Sequence, residues 1–362
     1  MKNTFGNNLK VTIFGESHGA AVGAVIDGIT PGLEVDNKFI EKLLERRRPN
    51  AKTDTARSEK DPYQIVSGVF EGKTTGTPLT IVIPNGDTRS KDYQYGLARP
   101  SHADYAAFCK FHGFEDYRGG GHFSGRITAG LVATGGILIP ALEKKGIRIG
   151  THILKCGPGA DRQFENIERD IELLQNSEFP VLEESEGQKM TDYILEAKGN
   201  LDSVGGITQT IISGLVPGLG EPWFDSVESM ISHAVFSLGG VKGIEFGMGF
   251  EFANQTASSC NDSFRMSNGS VITVTNNNGG INGGITNGMP VLFQCVVKPT
   301  PSIAQNQQTV DFKKNQNAEL VIKGRHDPAI IRRICPVLDS VTAIVVADLL
   351  IGRFGTDYLF SK

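Results

Sequence analysis

The 362 residues carry a formal net charge of −4, with 39% apolar and 21% charged side chains. Such a chain can bury a substantial core, which excludes a disordered protein, and its mild acidity excludes general nucleic-acid binding. Five dispersed cysteines without a Cys-x-x-Cys pair exclude zinc ribbons and redox dithiols; they read as reduced thiols, and no metal site is expected. No hydrophobic signal opens the chain, and the longest apolar run, 341–351, contains Asp348 and is too short for a bilayer, so a soluble cytoplasmic protein without a membrane partner is expected.

Residues 9–14 alternate as a strand and 20–26 as its hairpin partner. Between them lies Gly15-Glu16-Ser17-His18-Gly19, the spacing of a serine-hydrolase nucleophile elbow with Ser17 as nucleophile. An elbow needs a helix directly after it, so the hydrolase is only the alternative reading, while His18 in the turn is a proton-transfer candidate. Asp36 caps a helix with Phe39, Ile40, Leu43 and Leu44 on one face, ending in Arg46-Arg47-Arg48 before Pro49. Residues 50–60 read as a polar mobile loop bearing Lys52 and Arg57. Strands follow at 64–70 and 78–84; Gly72-Lys73-Thr74 between them lacks the earlier glycine of a P-loop, Ser67 standing there, and reads as a hairpin turn.

The stretch 99–126 concentrates the chemistry. Arg99, Arg118 and Arg126 are permanent cations with planar forks suited to carboxylate and phosphate, and His102 exchanges a proton near neutral pH. Gly119-Gly120-Gly121 lets backbone N–H groups approach a bulky anion, and Ser124-Gly125 opens a helix whose N-terminus favours negative charge. A dinucleotide fingerprint is excluded because Ser124 stands where its third glycine belongs. Within an acidic chain, this local basic cluster points to a small anionic ligand.

A long helix then runs to about residue 145, followed by a strand at 147–154, helices at 164–174 and 190–197, a strand at 203–216 and a helix at 227–236. Residues 276–284 are a glycine–asparagine loop, and 291–297 a buried strand. Two Gly-Gly-Ile segments, from Gly205 and Gly283, hint at internal duplication. In Gly324-Arg325-His326-Asp327-Pro328, Asp327 reads as an N-cap followed by an N1 proline, opening a final apolar helix broken at Pro336. No composition shift marks a boundary, which suggests one α/β domain over residues 1–362.

Six segments resemble the chorismate synthase family, in its order and across nearly the whole chain: Gly15 to Gly19, Arg46 to Pro49, Arg99 to Tyr105, Tyr117 to Gly121, Lys298 to Thr300 and Gly324 to Pro328. The resemblance implies anti-1,4-elimination of phosphate and a ring proton from 5-enolpyruvylshikimate 3-phosphate, giving chorismate. It further implies reduced FMN without net oxidation, supplied by a separate flavin reductase, and a homotetramer. The implied fold is a sandwich of helices between antiparallel β-sheets. His18 and His102 would be acids and Asp327 a base, while Arg46, Arg47, Arg48 and Arg126 would hold substrate. FMN would contact His122, Phe123, Ser124, Gly239, Gly240, Gly283, Lys298, Pro299, Thr300, Pro301, Ser302 and Arg325. The family carries Arg-Ser-Ser where this chain has His122-Phe123-Ser124, and Asn-Ala where it has Gly239-Gly240, so the backbone is expected to make those contacts.

Overall fold

The computed structural model describes residues 2–55, 60–86, 94–322 and 326–360. Strands Thr4–Phe5 (β1), Lys10–Gly15 (β2) and Ala21–Asp27 (β3) form a meander. Helix Asn37–Arg47 (α1) follows, with Asp36 accepting from the N–H groups of Lys38 and Phe39. After Gln64–Ser67 (β4) and the small hairpin of Val69–Phe70 (β5) and Lys73–Thr74 (β6), Leu79–Pro84 (β7) completes an antiparallel sheet of order β1-β2-β3-β7-β4. Alternation puts Val22, Ala24 and Ile26 of β3 beside Ile83, Ile81 and Leu79 of β7, all buried on the face toward the helices.

Next come helices Asp104–Phe111 (α2) and Thr128–Glu143 (α3), strands Arg148–Cys156 (β8) and Gly159–Ala160 (β9), and helices Ile167–Asn176 (α4) and Glu184–Gly199 (α5). Strand Gly206–Ser213 (β10), helix Val227–Phe236 (α6), strand Val241–Phe246 (β11) and the short helix Ala257–Cys260 (α7) lead to three hairpins. These are Phe264–Ser267 (β12) with Ser270–Thr273 (β13), Ile281–Asn282 (β14) with Ile285–Thr286 (β15), and, after Val291–Val297 (β16), Gln307–Asp311 (β17) with Gln316–Leu320 (β18). Helix Ile331–Phe354 (α8) is the last long element. The second five-stranded sheet has the order β11-β16-β10-β8-β9, with antiparallel pairings throughout.

Helices α3 and α8 lie in contact between the two sheets, with α1 and α6 packed against them. This is the expected sandwich. The helical stretch Gly125–Glu143, which contains α3, and α8 are long and apolar enough to cross a membrane by length and composition, but their apolar segments are 78% and 94% buried inside the protein. A helix covered on every side needs no polar face. Close approach is made possible by small residues: a Cβ at Gly130 would fall 2.7 Å from the Gly23 backbone, and one at Gly135 2.4 Å from Ser340 of α8. Asp348 sits in the apolar helix because its carboxylate accepts the N–H groups of Asn7, Asn8 and Leu9, tying the first strands to α8.

Several expectations change. Residues 50–55 are tightly held: Thr53, Asp54 and Thr55 are buried, and Asp54 accepts from the N–H groups of Asn50 and Ala51 and pairs with Arg332. Arg57 lies outside the described residues. Asp327 is no helix cap, since α8 begins four residues later with Ile330 at its N-cap. Pro336 does not break α8, whose burial outweighs the roughly 3 kcal/mol an interior proline costs. The two Gly-Gly-Ile segments enter unlike strands, the eight-residue β10 and the two-residue β15.

Candidate active site

A cavity of about 840 Å³ opens where the N-terminal ends of α3 and α8 meet the 99–103 and 298–302 loops. Gly121 turns the chain toward it, and Ser124 caps the following turn by accepting the Arg126 N–H. Gly119 can only be glycine: its φ is +62°, and a Cβ would lie 2.2 Å from His18 Cε1 and 2.5 Å from Ser17 Oγ. One wall is apolar, made by Leu131, Ile334, Val337, Val341 and Ile344. The remainder is cationic. Among the described lining residues, Lys2, Arg47, Arg99, Arg126, Lys242, Lys298 and Arg333 face a single carboxylate, Asp327.

Buried carboxylates hold these cations in place. Asp61 lies between Arg47 and Arg126, accepting from Arg47 Nη2 at 2.8 Å and pairing with Arg126 Nη1. Burial alone would raise the Asp61 carboxyl, but the two guanidinium groups bring it below its ordinary value. Arg47, fully buried, is lowered by desolvation, with Asp61 opposing. Arg126 also donates through Nε to Asn85 and through Nη2 to the Pro84 carbonyl. Asp327 pairs with Arg333 and accepts the Thr55 N–H. Partial burial and then the neighbouring Lys242 lower Lys298, whose Nζ donates to the Ser101 carbonyl at 2.6 Å.

The fold gathers His102, His122, Phe123, Ser124, Arg47, Arg126, Gly239, Gly240, Asp327 and the whole run Lys298 to Ser302 around this one cavity. His122 donates from Nδ1 to the Gly15 carbonyl at 2.8 Å, since a carbonyl oxygen can only accept. His18 does not line the cavity; its ring sits one layer behind Gly119, with Nδ1 3.0 Å from Ser17 Oγ. Arg46 and Arg48, expected to hold substrate, do not line the cavity: successive helical residues point about 100° apart, so Arg46 meets Asp339 where Arg47 meets Asp61, while Arg48, in extended backbone just past the end of α1, donates to the Lys60 carbonyl. Arg118 forks Asp116 outside the cavity. Gly283 is in the β14–β15 turn and does not line the cavity. Arg325 lies outside the described residues. Sequence reasoning passed over Arg333, Lys242, His233 and Asp61, which no local pattern marks. Among the described residues no cluster of three or more His, Cys, Asp or Glu is arranged to hold a metal.

The hydrolase alternative fails on this geometry. Ser17 is buried, its hydroxyl donates to the Arg118 carbonyl, and strand β3 follows the turn where an elbow requires a helix.

The family model described as chorismate synthase matches residues 9–351. The chain belongs to the chorismate synthase family. Proteins named chorismate synthase from Lachnoclostridium phytofermentans and Pyrococcus abyssi are each 44% identical to it, over 99% and 96% of this chain and 98% and 97% of theirs. A crystal structure of chorismate synthase superposes with a TM-score of 0.77 at 28% identity, covering 98% of this chain and 95% of that one. The chain is therefore a lyase of aromatic amino-acid biosynthesis in the shikimate pathway, acting on 5-enolpyruvylshikimate 3-phosphate in a family that uses reduced flavin.

Proposed function

We propose that the large cavity binds reduced FMN together with 5-enolpyruvylshikimate 3-phosphate, and that its residues manage the protons of the anti-1,4-elimination. The observation that carries this is the set of seven cations facing one carboxylate beside an apolar wall. The substrate has two carboxylates and a phosphate, FMN adds another phosphate, and a flavin ring suits the apolar side. The hydroxyl oxygens of Thr55 and Thr300, both lining the cavity, are buried without a hydrogen-bond partner among the described residues, which fits a site completed by a polar ligand.

Arg47 and Arg126 hold substrate anions, their forks fixed beforehand by Asp61, so little ordering is required on binding. FMN is held by His122, Phe123, Ser124, Gly239, Gly240 and the run Lys298 to Ser302, with Lys298 presented by the Ser101 carbonyl. Reduced flavin supplies transient electron density that helps phosphate leave, without net oxidation. His102 donates a proton from the wall, and His18 is the second donor, behind the Gly119 backbone. Asp327 is the base, oriented by Arg333 and the Thr55 N–H.

The chain works as one unit, in the cytoplasm, as a homotetramer fed by a separate flavin reductase. Phe264, Met266, Val271 and Ile272 are all exposed on the β12–β13 hairpin, an apolar surface suited to association between copies. The test is anaerobic: pure protein, photoreduced FMN and 5-enolpyruvylshikimate 3-phosphate, following chorismate absorbance and released phosphate. Equal yields with many turnovers per flavin are expected. Turnover without flavin, or flavin oxidised in step with product, defeats the cofactor assignment; phosphate release driven by NADPH and oxidised FMN alone defeats the separate reductase.

A further inference from the structure

We propose that Asp104 is a positioning residue for His102, fixing the ring so that Nε2 is the nitrogen that exchanges the proton. This rests on the reading of His102 as a proton donor to the large cavity.

Asp104 opens α2, and its carboxylate reaches back across the preceding turn to lie 2.7 Å from His102 Nδ1 through Oδ1. Arg99 grips the same carboxylate three times: Nε and the backbone N–H donate to Oδ2 at 2.8 and 2.9 Å, and Nη2 donates to Oδ1 at 2.7 Å. Burial alone would raise this carboxyl, but the hydrogen bonds from Arg99 and His102 hold it well below the usual carboxylate range. Asp104 is therefore ionised at neutral pH, and an ionised carboxylate only accepts. The ring nitrogen facing it must carry a hydrogen in the neutral ring and in the imidazolium alike. Nε2 is left as the position whose proton can change.

The ring is constrained on its other edge as well. A Cβ at Gly120 would lie 3.3 Å from His102 Cε1 and 3.4 Å from Nε2, so the imidazole rests against the glycine run. Asp104 itself lines only a smaller cavity of about 430 Å³ behind this wall, whereas His102 and Arg99 line both. The carboxylate thus acts from outside the reaction cavity, through the ring. Its relation to His102 is that of an orienting acid to a proton-transfer histidine.

Asp104→Asn tests the hold. Two Arg99 N–H groups converge where Oδ2 stood and one, Nη2, where Oδ1 stood, so the amide oxygen is drawn to the former position and the NH2 turns toward His102 Nδ1 at the loss of the single Nη2 bond. That nitrogen must then accept, and the neutral ring carries its proton on Nε2. In 15N-histidine-labelled holoenzyme, the His102 resonances are expected to change from the Nδ1–H to the Nε2–H pattern. The kcat is expected to fall about 10²- to 10⁴-fold, with KM changed less than about threefold, and Asp104→Asn/His102→Gln is expected to be no slower than His102→Gln. Asp104→Ser removes the carboxylate from the first helical position and should lose kcat to a similar extent, with far-UV circular dichroism and Tm close to those of the parent separating this loss from a failure to fold. A His102 that keeps Nδ1–H in Asp104→Asn overturns the proposal, as does an undiminished kcat in Asp104→Ser. Full kcat in His102→Gln would instead remove the underlying reading of His102, while the ring tautomer still reports on Asp104.

Discussion

Two basic pockets flank helix α1, and they differ in what happens to their charge. The large cavity receives Arg47, Arg126 and Arg333 together with Lys2, Lys242 and Lys298, beside an apolar wall and a single lining carboxylate. The small one, about 300 Å³, is lined by Lys42, Glu45, Arg46, Glu178 and Arg332 among others. There the cations are answered locally: Arg332 pairs with Asp54 and donates to Asn50 and to the carbonyls of Arg48 and Glu178, while Arg46 faces Asp339. Arginines at a helix end do not by themselves make an anion site. A surplus of positive charge over buried carboxylate does, because only the surplus can be neutralised by a ligand.

The largest expected effect comes from breaking the charged side of this comparison. Arg126→Ala removes a cation lining the large cavity and leaves Asp61 with one partner. The kcat/KM for 5-enolpyruvylshikimate 3-phosphate should fall about a hundredfold to a thousandfold, with about 3–5 kcal/mol lost from stability, checked by steady-state kinetics well below Tm and by denaturant unfolding. Arg46→Ala, one residue away from Arg47, should change kcat/KM by less than about threefold. A loss approaching that of Arg126→Ala would end the distinction between the pockets.

The smallest effect sharpens it on the structural side. Burial raises the Asp339 carboxyl from 3.8 to about 6, with the Arg46 charge opposing. The folded state therefore favours the protonated acid; this contribution is complete below about pH 3.8 and is lost as pH rises through about 6. Asp339→Asn, which cannot ionise, should gain about 3 kcal/mol relative to the parent above pH 7. Its Tm advantage should amount to a few degrees at pH 8 and vanish near pH 4, with kcat unchanged. An advantage that grows on acidification would show that Asp339 is ionised and held by Arg46.

Much of this architecture was legible before any coordinates. The strand at Val291–Val297 and the helix at Val227–Phe236 fall where their periodicity places them, and Asp36 caps α1 as its side chain allows. The motif segments pointed to the family through their order along the chain, and the fold brings several of them to one cavity. Local patterns report local geometry well: an alternating strand or a capped helix start depends on neighbours within a few residues.

What the sequence by itself determined, then, is much of the succession of elements, the family, and a concentration of cationic and proton-exchanging side chains between Arg99 and Arg126; the sandwiched arrangement of the helices came only as an implication of the family resemblance. Only the tertiary structure decided that Arg47 faces the cavity while Arg46 and Arg48 do not, and that Asp327 pairs with Arg333 rather than capping a helix. It also decided that His18 stands behind Gly119, and that Asp61 joins two arginines 14 and 65 residues away. The reason is physical. A buried charge takes its role from the partners that replace its water, and those partners arrive from distant segments whose positions no local pattern encodes.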